Sequence, residues 1–301
     1  MTKPSQPRNI PEHAAPFLKW AGGKRWLANT VAQLLRNPGG NYIEPFLGGG
    51  AVFFEIECQA AILSDINKEL INAYRVVRDR TDELVRLLCC LEIRKSLFNR
   101  IRREGCVDPV ARAARLLYLN RTAFNGLYRV NQRGEFNVPF GCKAGTRLVD
   151  RNALVICSEM LGRAVLMPGD FRNPLVFAGP NDSVFLDPPY TVKHNNNGFR
   201  QYNETIFSWN DQIALAKIAN RLAALGTRVV VTNAFHHEVV ALYSKRLFQP
   251  YVVKRPTTIA ANRSARGVCS ELVLLSDSIS ASEGLRRFDV PVLVPLRHGA
   301  F

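Results

Sequence analysis

A strand, a glycine-rich turn, a helix and a second strand that ends in an acid follow one another early in the chain. Asn41–Glu44 (NYIE) predicts a short strand and Gly48–Gly50 a tight turn. Ala51–Glu57 predicts a helix, and Ala61–Ser64 predicts a second strand that leads into Asp65. Because glycine lets the backbone turn tightly and approach a ligand closely, this order indicates the nucleotide-binding half of an α/β fold.

Asp65 has two interpretations at this stage. At the end of a strand its carboxylate can accept hydrogen bonds from both hydroxyls of a ribose. It also precedes the helix that the apolar spacing predicts over Asn67–Val77, where it would serve as the N-cap. The glycine spacing is F-x-G-x-G and not G-x-G-x-x-G, which argues against a dinucleotide as the ligand.

A second series of strand and helix patterns begins near residue 164. Its apolar runs lack polar alternation, which is typical of strands in a parallel sheet covered on both faces. We therefore predict a parallel sheet. The expected elements are strands at Ala164–Met167, Ser183–Leu186 and Arg228–Thr232, strands near the sheet edge at Leu247–Val253 and Glu271–Leu275, and a helix over Trp209–Leu225.

The middle of the chain has a different composition. Leu84–Arg103 and Val110–Asn120 predict helices, and the Asn, Gly and aromatic residues of Arg121–Gly145 predict loops or a hairpin. The chain has a net charge of +15, and residues 70–151 carry 17 Lys+Arg against 8 Asp+Glu. The other 219 residues carry 23 against 17. An excess of this kind indicates a phosphate-binding face, since a merely solvated helix would show more balanced charges.

These patterns predict an α/β domain that is interrupted by a mainly helical insertion. We expect the first part of the α/β domain in residues 1–69 and the insertion in 70–152. The second part would occupy 153–276, and 277–301 would form a C-terminal extension.

Composition narrows the class of protein further. The 301 residues are 47% hydrophobic, yet no apolar run approaches the roughly 20 residues that span a bilayer. The polar, proline-rich start of the sequence has no apolar segment of a secretory signal, so we expect a cytoplasmic protein without a membrane partner. The seven cysteines form no C-x-x-C pair, which favours free thiols and predicts no metal site.

Asp187-Pro188-Pro189-Tyr190 follows the strand Ser183–Leu186 and carries the strongest chemical signal. The two prolines fix an extended backbone and donate no hydrogen bonds, so the Asp187 carboxylate and the Pro188 carbonyl are available as acceptors. A planar amino group with two protons needs two such acceptors. Tyr190 can stack on a base that has left its duplex.

Seven motifs in order resemble the Dam-type (alpha-group, D12 class) adenine-specific DNA methyltransferases. The resemblance covers roughly residues 17–275 and depends on the joint order of motifs that are weak singly. They are FLKWAGGK (17–24), EPFLGGG (44–50), SDIN (64–67), NRTAFNGLYRVNQRGEFNVPFG (120–141), GDF (169–171), DPPY (187–190) and TIAANRSARGVCSELVLL (258–275).

The resemblance implies a Rossmann-like, S-adenosylmethionine-dependent methyltransferase sheet with an inserted DNA-recognition domain. It places Asp187, Pro188 and Tyr190 at the reacting adenine, with Asp187 also next to the cofactor. Further cofactor contacts would come from Trp20, Lys24, Glu44, Phe46, Gly48, Gly50, Asp65, Asp170 and Phe171.

The same resemblance assigns DNA contacts to the 120–141 motif and its surroundings. Arg129 would read a guanine edge in a 5′-GA step, a contact worth roughly 1–3 kcal/mol of discrimination. Phe124 would wedge into the base stack and lower the cost of flipping. The remaining expected contacts with DNA are Lys19, Asn125, Leu127, Asn131 and Pro139.

The expected activity is methylation of an adenine amino group in double-stranded DNA, with GATC favoured over other GA-containing sites. Direct transfer is expected, without a covalent intermediate or a metal, because the sulfonium methyl is already activated. After Phe140-Gly141 the sequence Cys142–Arg147 departs from the family pattern, which leaves the outer bases of the site open. We expect a monomer, with a dimer on DNA as the alternative.

Two other functions remain compatible with the residues. D/N-P-P-Y sites serve several planar amino groups, so an RNA or protein amide methyltransferase is one alternative. Asp at position 187 and the basic insertion favour DNA adenine over it. The second alternative is a DNA-binding protein that has kept the fold without the activity.

Overall fold

The computed structural model describes residues 14–37, 39–131, 133–142, 145–190, 207–256, 268–280 and 294–295. Its strands form a sheet in the order β3-β2-β1-β4-β5-β7-β6-β8. The first five positions follow the 3-2-1-4-5 order of doubly wound α/β folds, which confirms the α/β class. The strands are β1 (Tyr42–Glu44), β2 (Ala61–Asp65), β3 (Ala164–Pro168), β4 (Ser183–Leu186), β5 (Arg228–Ala234), β6 (Phe248–Pro256), β7 (Val268–Ser276) and β8 (Val294–Pro295).

The sheet is mixed, whereas the sequence predicted a parallel one. β1, β4 and β5 run parallel, with Ile43 opposite Val184 and Val184 opposite Val229. β7 runs antiparallel to both β5 and β6. The expectation that Leu247–Val253 and Glu271–Leu275 lie near the sheet edge is confirmed, because β7 and β6 take the sixth and seventh of the eight positions in the strand order.

Ten helices and one short 3₁₀ helix are found in the described residues. No helix among them is long and apolar enough to cross a membrane. They are α1 (Arg25–Leu35), α2 (Lys68–Asp79), α3 (Thr81–Cys89), α4 (Lys95–Arg103), α5 (Pro109–Thr122), α6 (Arg151–Leu161), α7 (Arg172–Leu175), α8 (Trp209–Ala224), α9 (His237–Ala241), α10 (Asp277–Ser280) and the 3₁₀ helix Phe124–Gly126.

Helix α2 confirms the prediction made from its apolar spacing. Its buried face includes Leu70, Ile71 and Tyr74. Asn67 is the N-cap, since its side-chain oxygen accepts hydrogen bonds from the backbone amides of Glu69 and Leu70. The alternative that Asp65 caps this helix is therefore wrong.

Two predicted helices differ from the structure. Residues 51–55 form successive turns in place of a regular helix, although the Phe54 amide still donates to the Gly50 carbonyl at 3.0 Å. The predicted helix Leu84–Arg103 is divided into α3 and α4. The carbonyl of Glu92 in the intervening stretch accepts the Tyr118 hydroxyl at 2.9 Å, and Arg94 is extended before α4 begins.

The chain divides into two compact units. The first contains the chain up to Asn29, Leu47–Glu57 and Leu63–Asp170; the second contains Thr30–Phe46, Cys58–Ile62 and the chain from Phe171 onward. The predicted insertion, residues 70–152, lies within the first unit, and its role as a separate domain stays a prediction. The second unit has an apolar core built from β4, β5 and β7 with the buried face of α8.

Six of the seven cysteines have the state that the sequence predicted. Cys58, Cys89, Cys90, Cys106, Cys142 and Cys157 are all free thiols. Burial raises the pKa of the Cys157 thiol to about 12, so this side chain stays protonated at neutral pH.

Candidate active site

The second unit brings Asp187 to the edge of the sheet where parallel strands end. The strand order reverses between β1 and β4, and in open α/β sheets ligands bind beyond the carboxyl ends of the strands at this point. Asp187 is the first residue after β4. Its Oδ1 accepts a hydrogen bond from Thr232 Oγ1 of β5 at 2.6 Å. The Asp187 carboxylate is therefore held by the neighbouring strand at the place where a ligand is expected.

Tyr190 is held by a buried acid on β7. Its hydroxyl donates to Oε2 of Glu271 at 3.1 Å, and Glu271 is only 4% exposed. Burial raises the pKa of Tyr190 well above its ordinary value, and the nearby charges of Asp187 and Glu271 raise it further. Tyr190 thus stays a neutral hydrogen-bond donor, and its ring is tethered at one end.

Glu44 at the end of β1 is buried beside a tyrosine. Tyr42 and Glu44 point to the same face of the strand because they are two residues apart. The Tyr42 hydroxyl donates to Oε2 of Glu44 at 2.9 Å. The pKa of Tyr42 is raised well above 10.0, first by burial and then by the charge of Glu44. Tyr42 therefore keeps its proton and serves as a donor to this carboxylate.

Three phenylalanines of the second unit form an aromatic cluster. Phe46 stacks on Phe171 with ring centroids 5.4 Å apart, and Phe207 meets both rings at 5.5 to 5.6 Å. Phe171 and Phe207 are buried, whereas Phe46 is half-buried. The predicted cofactor residues Phe46 and Phe171 are thus brought together, and Phe207 joins them without having been predicted.

The glycine turn of the first unit leaves no room for side chains. Gly48 and Gly50 have φ of +49° and +66°, a region that favours glycine. A Cβ on Gly48 would lie 2.9 Å from Cδ1 of Trp20, and one on Gly50 would lie 2.9 Å from the Tyr74 hydroxyl. The turn therefore brings the backbone close to Trp20, another predicted cofactor residue.

Asp65 is bound to the same turn. Its carboxylate accepts hydrogen bonds from the amides of Gly48 and Asn67, both at 2.9 Å. Loss of hydration raises the pKa of Asp65 above its ordinary value, and the two amides partly oppose this shift. The Gly169 amide donates a hydrogen bond to the Asp65 carbonyl at the end of β2, at 3.0 Å. This bond fixes the residue directly before Asp170, another predicted cofactor residue.

Lys24 is a buried cation in the first unit. Only 5% of it is exposed, and its Nζ donates to the Gly22 carbonyl at 3.0 Å. The structure thus places the Lys24 ammonium against its own glycine-containing loop, which is compatible with its predicted place near the cofactor.

The predicted DNA-reading segment forms an open turn with a short return. Ala123 bridges Phe140 and Val130 bridges Phe136, both antiparallel, as expected for loops or a hairpin. Phe124 is 53% exposed, and Asn125 has the left-handed φ of +55°. These two side chains therefore lie at the surface of the segment.

The other predicted DNA contacts differ in their exposure and in their hydrogen bonds. Arg129 is exposed, and its Nε donates to Oδ1 of Asn137 at 2.8 Å. The Asn131 side chain is bound within its own turn, where it donates to the Glu135 carboxylate and accepts the Glu135 amide. Leu127 is half-buried and Pro139 exposed.

Comparisons with known proteins identify the chain's relatives. A model of the family described as D12 class N6 adenine-specific DNA methyltransferase matches residues 20–259. The chain belongs to this family.

Curated relatives extend the match over most of the sequence. The chain is 36% identical to the type II methyltransferase M1.LlaDCHI of Lactococcus lactis subsp. cremoris, over 86% of this chain and 94% of that protein. It is 33% identical to the type II methyltransferase M.MjaIII of Methanocaldococcus jannaschii, over 86% and 98%. It is 37% identical to a DNA adenine methylase of Serratia marcescens, over 86% and 97%.

The sequence interpretation of this DNA adenine methyltransferase overlooked several site residues. Glu271 is an acid directly before the apolar run Leu272–Leu275, a signal that could have indicated its role. Thr232 and Tyr42 gave no local signal, because β-branched and aromatic residues are common in strands. Asn120 is fully buried in helix α5. A polar residue among the apolar positions of a helix is the sequence signal that could have indicated its role.

Proposed function

We propose that the chain transfers a methyl group from S-adenosylmethionine to the exocyclic amino group of an adenine flipped out of duplex DNA. The proposed site contains a 5′-GA step, and GATC is favoured. This goes beyond the adenine-specific DNA methyltransferase family that the comparisons show, because it names the donor, the state of the base and the sequence.

The observation that carries the proposal is the fixed pair of Asp187 and Tyr190. Thr232 and Glu271 hold these two side chains after the end of β4, at the edge where open α/β sheets usually bind ligands. We assign Asp187 and the Pro188 carbonyl to the two protons of the adenine amino group, and the Tyr190 ring to the face of the base. When both protons are held, the nitrogen lone pair is free to attack a methyl carbon.

The residues proposed to hold the cofactor fit its chemistry. Asp65 offers roughly four acceptor positions, two of which take backbone amides, so it can also accept ribose hydroxyls. Gly48 and Gly50 allow the backbone turn to pack closely against Trp20 and Tyr74, where a Cβ would clash. Phe171, which we assign to the neighbourhood of the cofactor adenine, stacks on Phe46, which we assign to the methionine end. S-adenosylmethionine would supply the activated methyl, and these side chains would orient it.

The reading segment supports the DNA part of the proposal. Arg129 has a planar guanidinium on the exposed side of the segment, a group that pairs bidentately with guanine. Phe124 presents an exposed ring of the kind that wedges between base steps. Residues 70–152 would then serve as the recognition part of the enzyme, with double-stranded DNA as its partner.

Methylation of random-sequence duplex DNA, followed by mapping of the modified adenines, tests the proposed site directly. We expect modified adenines that follow a guanine, in GATC above other contexts. The reaction should require S-adenosylmethionine. Modification of adenines without any preceding guanine would contradict the proposed specificity, and binding of DNA without uptake of the labelled cofactor would point to a non-enzymatic protein.

Asp187→Ala tests the role of the carboxylate. Methyl transfer should be lost while the protein remains folded, since Asp187 is half-buried and follows the end of β4. Asp79→Asn on the exposed surface of α2 serves as the control and should retain activity. Wild-type turnover by Asp187→Ala would exclude the assigned role.

A further inference from the structure

Asn120 of helix α5 joins Lys19 to the turn Phe124–Gly126, two parts of the chain that we assign to DNA contacts. Its side chain is fully buried. Its Oδ1 accepts the Lys19 amide at 3.0 Å, and its Nδ2 donates to the Lys19 carbonyl at 2.7 Å and to the Gly126 carbonyl at 3.1 Å. The carboxamide therefore pairs with the backbone of Lys19 as a neighbouring peptide would, while the second N–H fixes the turn that follows Phe124.

The same contact is reinforced from the side of Gly126. Gly126 has a φ of +67°, and a Cβ at this position would lie 2.5 Å from Cδ of Lys19 and 3.3 Å from the Asn120 carbonyl. The Lys19 side chain thus runs along the turn at a distance that only glycine allows. Arg121, the residue after Asn120, donates to the Phe17 carbonyl at 3.0 Å and holds the same N-terminal stretch.

The turn is also fixed on its far side. The Phe124 amide donates to the Pro139 carbonyl at 2.9 Å, and a Cβ on Gly141 would lie 2.9 Å from the Cα of Phe124. Phe124 and Asn125 therefore have a defined position relative to Asn120. Lys19 is exposed beside them, so its ammonium can reach a base edge only from the place that its backbone sets.

We propose that Asn120 is a positioning residue for DNA recognition, which sets Lys19 relative to the Phe124–Gly126 turn so that both read the same base step. It acts without contacting DNA, because it is buried and its carboxamide is bound to backbone atoms. This inference rests on the proposed function, since it needs a sequence-specific reaction to be observed.

The variants follow from the chemistry of the carboxamide. Asn120→Asp keeps the acceptor for the Lys19 amide but places a carboxylate oxygen against two carbonyls, which repels them. The matched control is Asn220→Asp in α8, because Asn220 also donates to a backbone carbonyl, that of Leu242, and accepts a backbone amide, that of Ser244. Lys19→Ala shows which base pair Lys19 reads.

The experiment measures kcat/KM at the mapped site and at each of its single-base variants. Asn120→Asp should reduce discrimination roughly tenfold at the same base pair that Lys19→Ala affects, as expected for one misplaced base contact. The loss should be much smaller when Asn120→Asp is added to Lys19→Ala, because both changes disable one contact. Asn220→Asp should leave the discrimination profile unchanged.

Each other result decides against the proposal or against its premise. An equal loss of rate at every variant site would show that Asn120 supports only the fold, and would overturn the inference. If Asn120→Asp does not fold, Gly126→Ala replaces it, since the added Cβ displaces Lys19 from the other side; an unchanged profile then overturns the inference too. A wild-type enzyme that modifies no adenine would instead refute the proposed function.

Discussion

The hydroxyl of Tyr190 illustrates how single residues set this site. An exposed tyrosine ring could swing about its Cα–Cβ bond, but the Tyr190 hydroxyl ends on the buried carboxylate of Glu271, which restrains that swing. A hydrogen bond to a charged group contributes about 1.5–3 kcal/mol. The hydrogen bond therefore stabilises one orientation of the ring, and stacking on a base requires a defined ring orientation.

Removal of the tether should therefore slow methyl transfer. We expect Glu271→Ala to lower the single-turnover rate by roughly tenfold, and Glu271→Gln to lower it less, because the amide oxygen still accepts the hydroxyl. Tyr190→Phe removes the same bond from the other side. If the double variant Tyr190→Phe/Glu271→Ala loses the sum of the two single effects, the two groups do not act as one unit.

Asp65 predicts a pH dependence of cofactor binding. Its pKa is raised in the folded protein, mainly by loss of hydration, and only the ionised form accepts ribose hydroxyls with both oxygens. As the pH falls through this raised pKa, affinity for S-adenosylmethionine should fall, at a higher pH than an ordinary aspartate would cause. Equilibrium binding between about pH 4 and 8 measures this.

The variant Asp65→Asn distinguishes the titration of Asp65 from other effects of low pH on the protein. The variant should bind the cofactor more weakly at neutral pH and should lose the pH dependence. A wild-type affinity that stays constant down to the pKa of a free aspartate would show that Asp65 does not hold the ribose.

At the level of elements, local chemistry predicted helix α2 and parallel strands well. The spacing of Leu70, Ile71 and Tyr74 is a local feature, and the structure buries these residues on one face of the helix as expected, whereas Asn67 is the N-cap in place of Asp65. The prediction of a helix after Gly50 was wrong. Val52, Phe53 and Phe54 are all buried, so the sequence there has no polar face that distinguishes turns from a helix. The prediction of a parallel sheet was wrong at β7 for another reason. The direction of a strand depends on its partners and cannot be inferred from its own residues.

The N-cap of α2 carries a stability prediction. Asn67→Ala removes the oxygen that accepts the amides of Glu69 and Leu70, and should lower the free energy of unfolding by about 1 kcal/mol. Asn67→Ser keeps a capping oxygen and should restore most of it. Urea unfolding of the three proteins measures the difference, and equal stability of the Ala and Ser variants would contradict a capping role.

The candidate site was predictable where motifs are contiguous. Gly48, Asp65, Asp187 and Tyr190 are found in short segments whose chemistry can be recognised without a structure. Their supports come from other strands and helices, so only the fold brings Glu271 to Tyr190 or Asn120 to Lys19. The sequence thus indicated the residues that we assign to ligands, but it did not indicate the residues that hold them.

For the whole molecule, the distribution of charge predicts how DNA binding depends on salt. The net charge of +15 is concentrated in residues 70–151, and DNA binding that neutralises phosphates weakens as salt rises. Arg133 and Arg147 are exposed in the first unit, near or within the reading segment. The double variant Arg133→Ala/Arg147→Ala should reduce the log–log salt slope of DNA binding by roughly 1 to 2.

Lys245→Ala provides the control for this measurement. Lys245 is an exposed cation of the second unit and lies outside the basic segment, so its removal should leave the slope nearly unchanged. Fluorescence anisotropy with a labelled duplex at several salt concentrations gives the slopes. An equal effect of Lys245→Ala would mean that overall charge, and not the basic segment, governs binding.

The stacking of Trp20 on Tyr128 has a practical consequence. Their ring centroids lie 5.3 Å apart at an interplanar angle of 17°, and the Trp20 indole also closes over Gly48. With only three tryptophans in the chain, this indole is a built-in optical reporter. The proposed binding of S-adenosylmethionine at this turn should change the emission of Trp20, so stopped-flow mixing can time that binding in unlabelled protein.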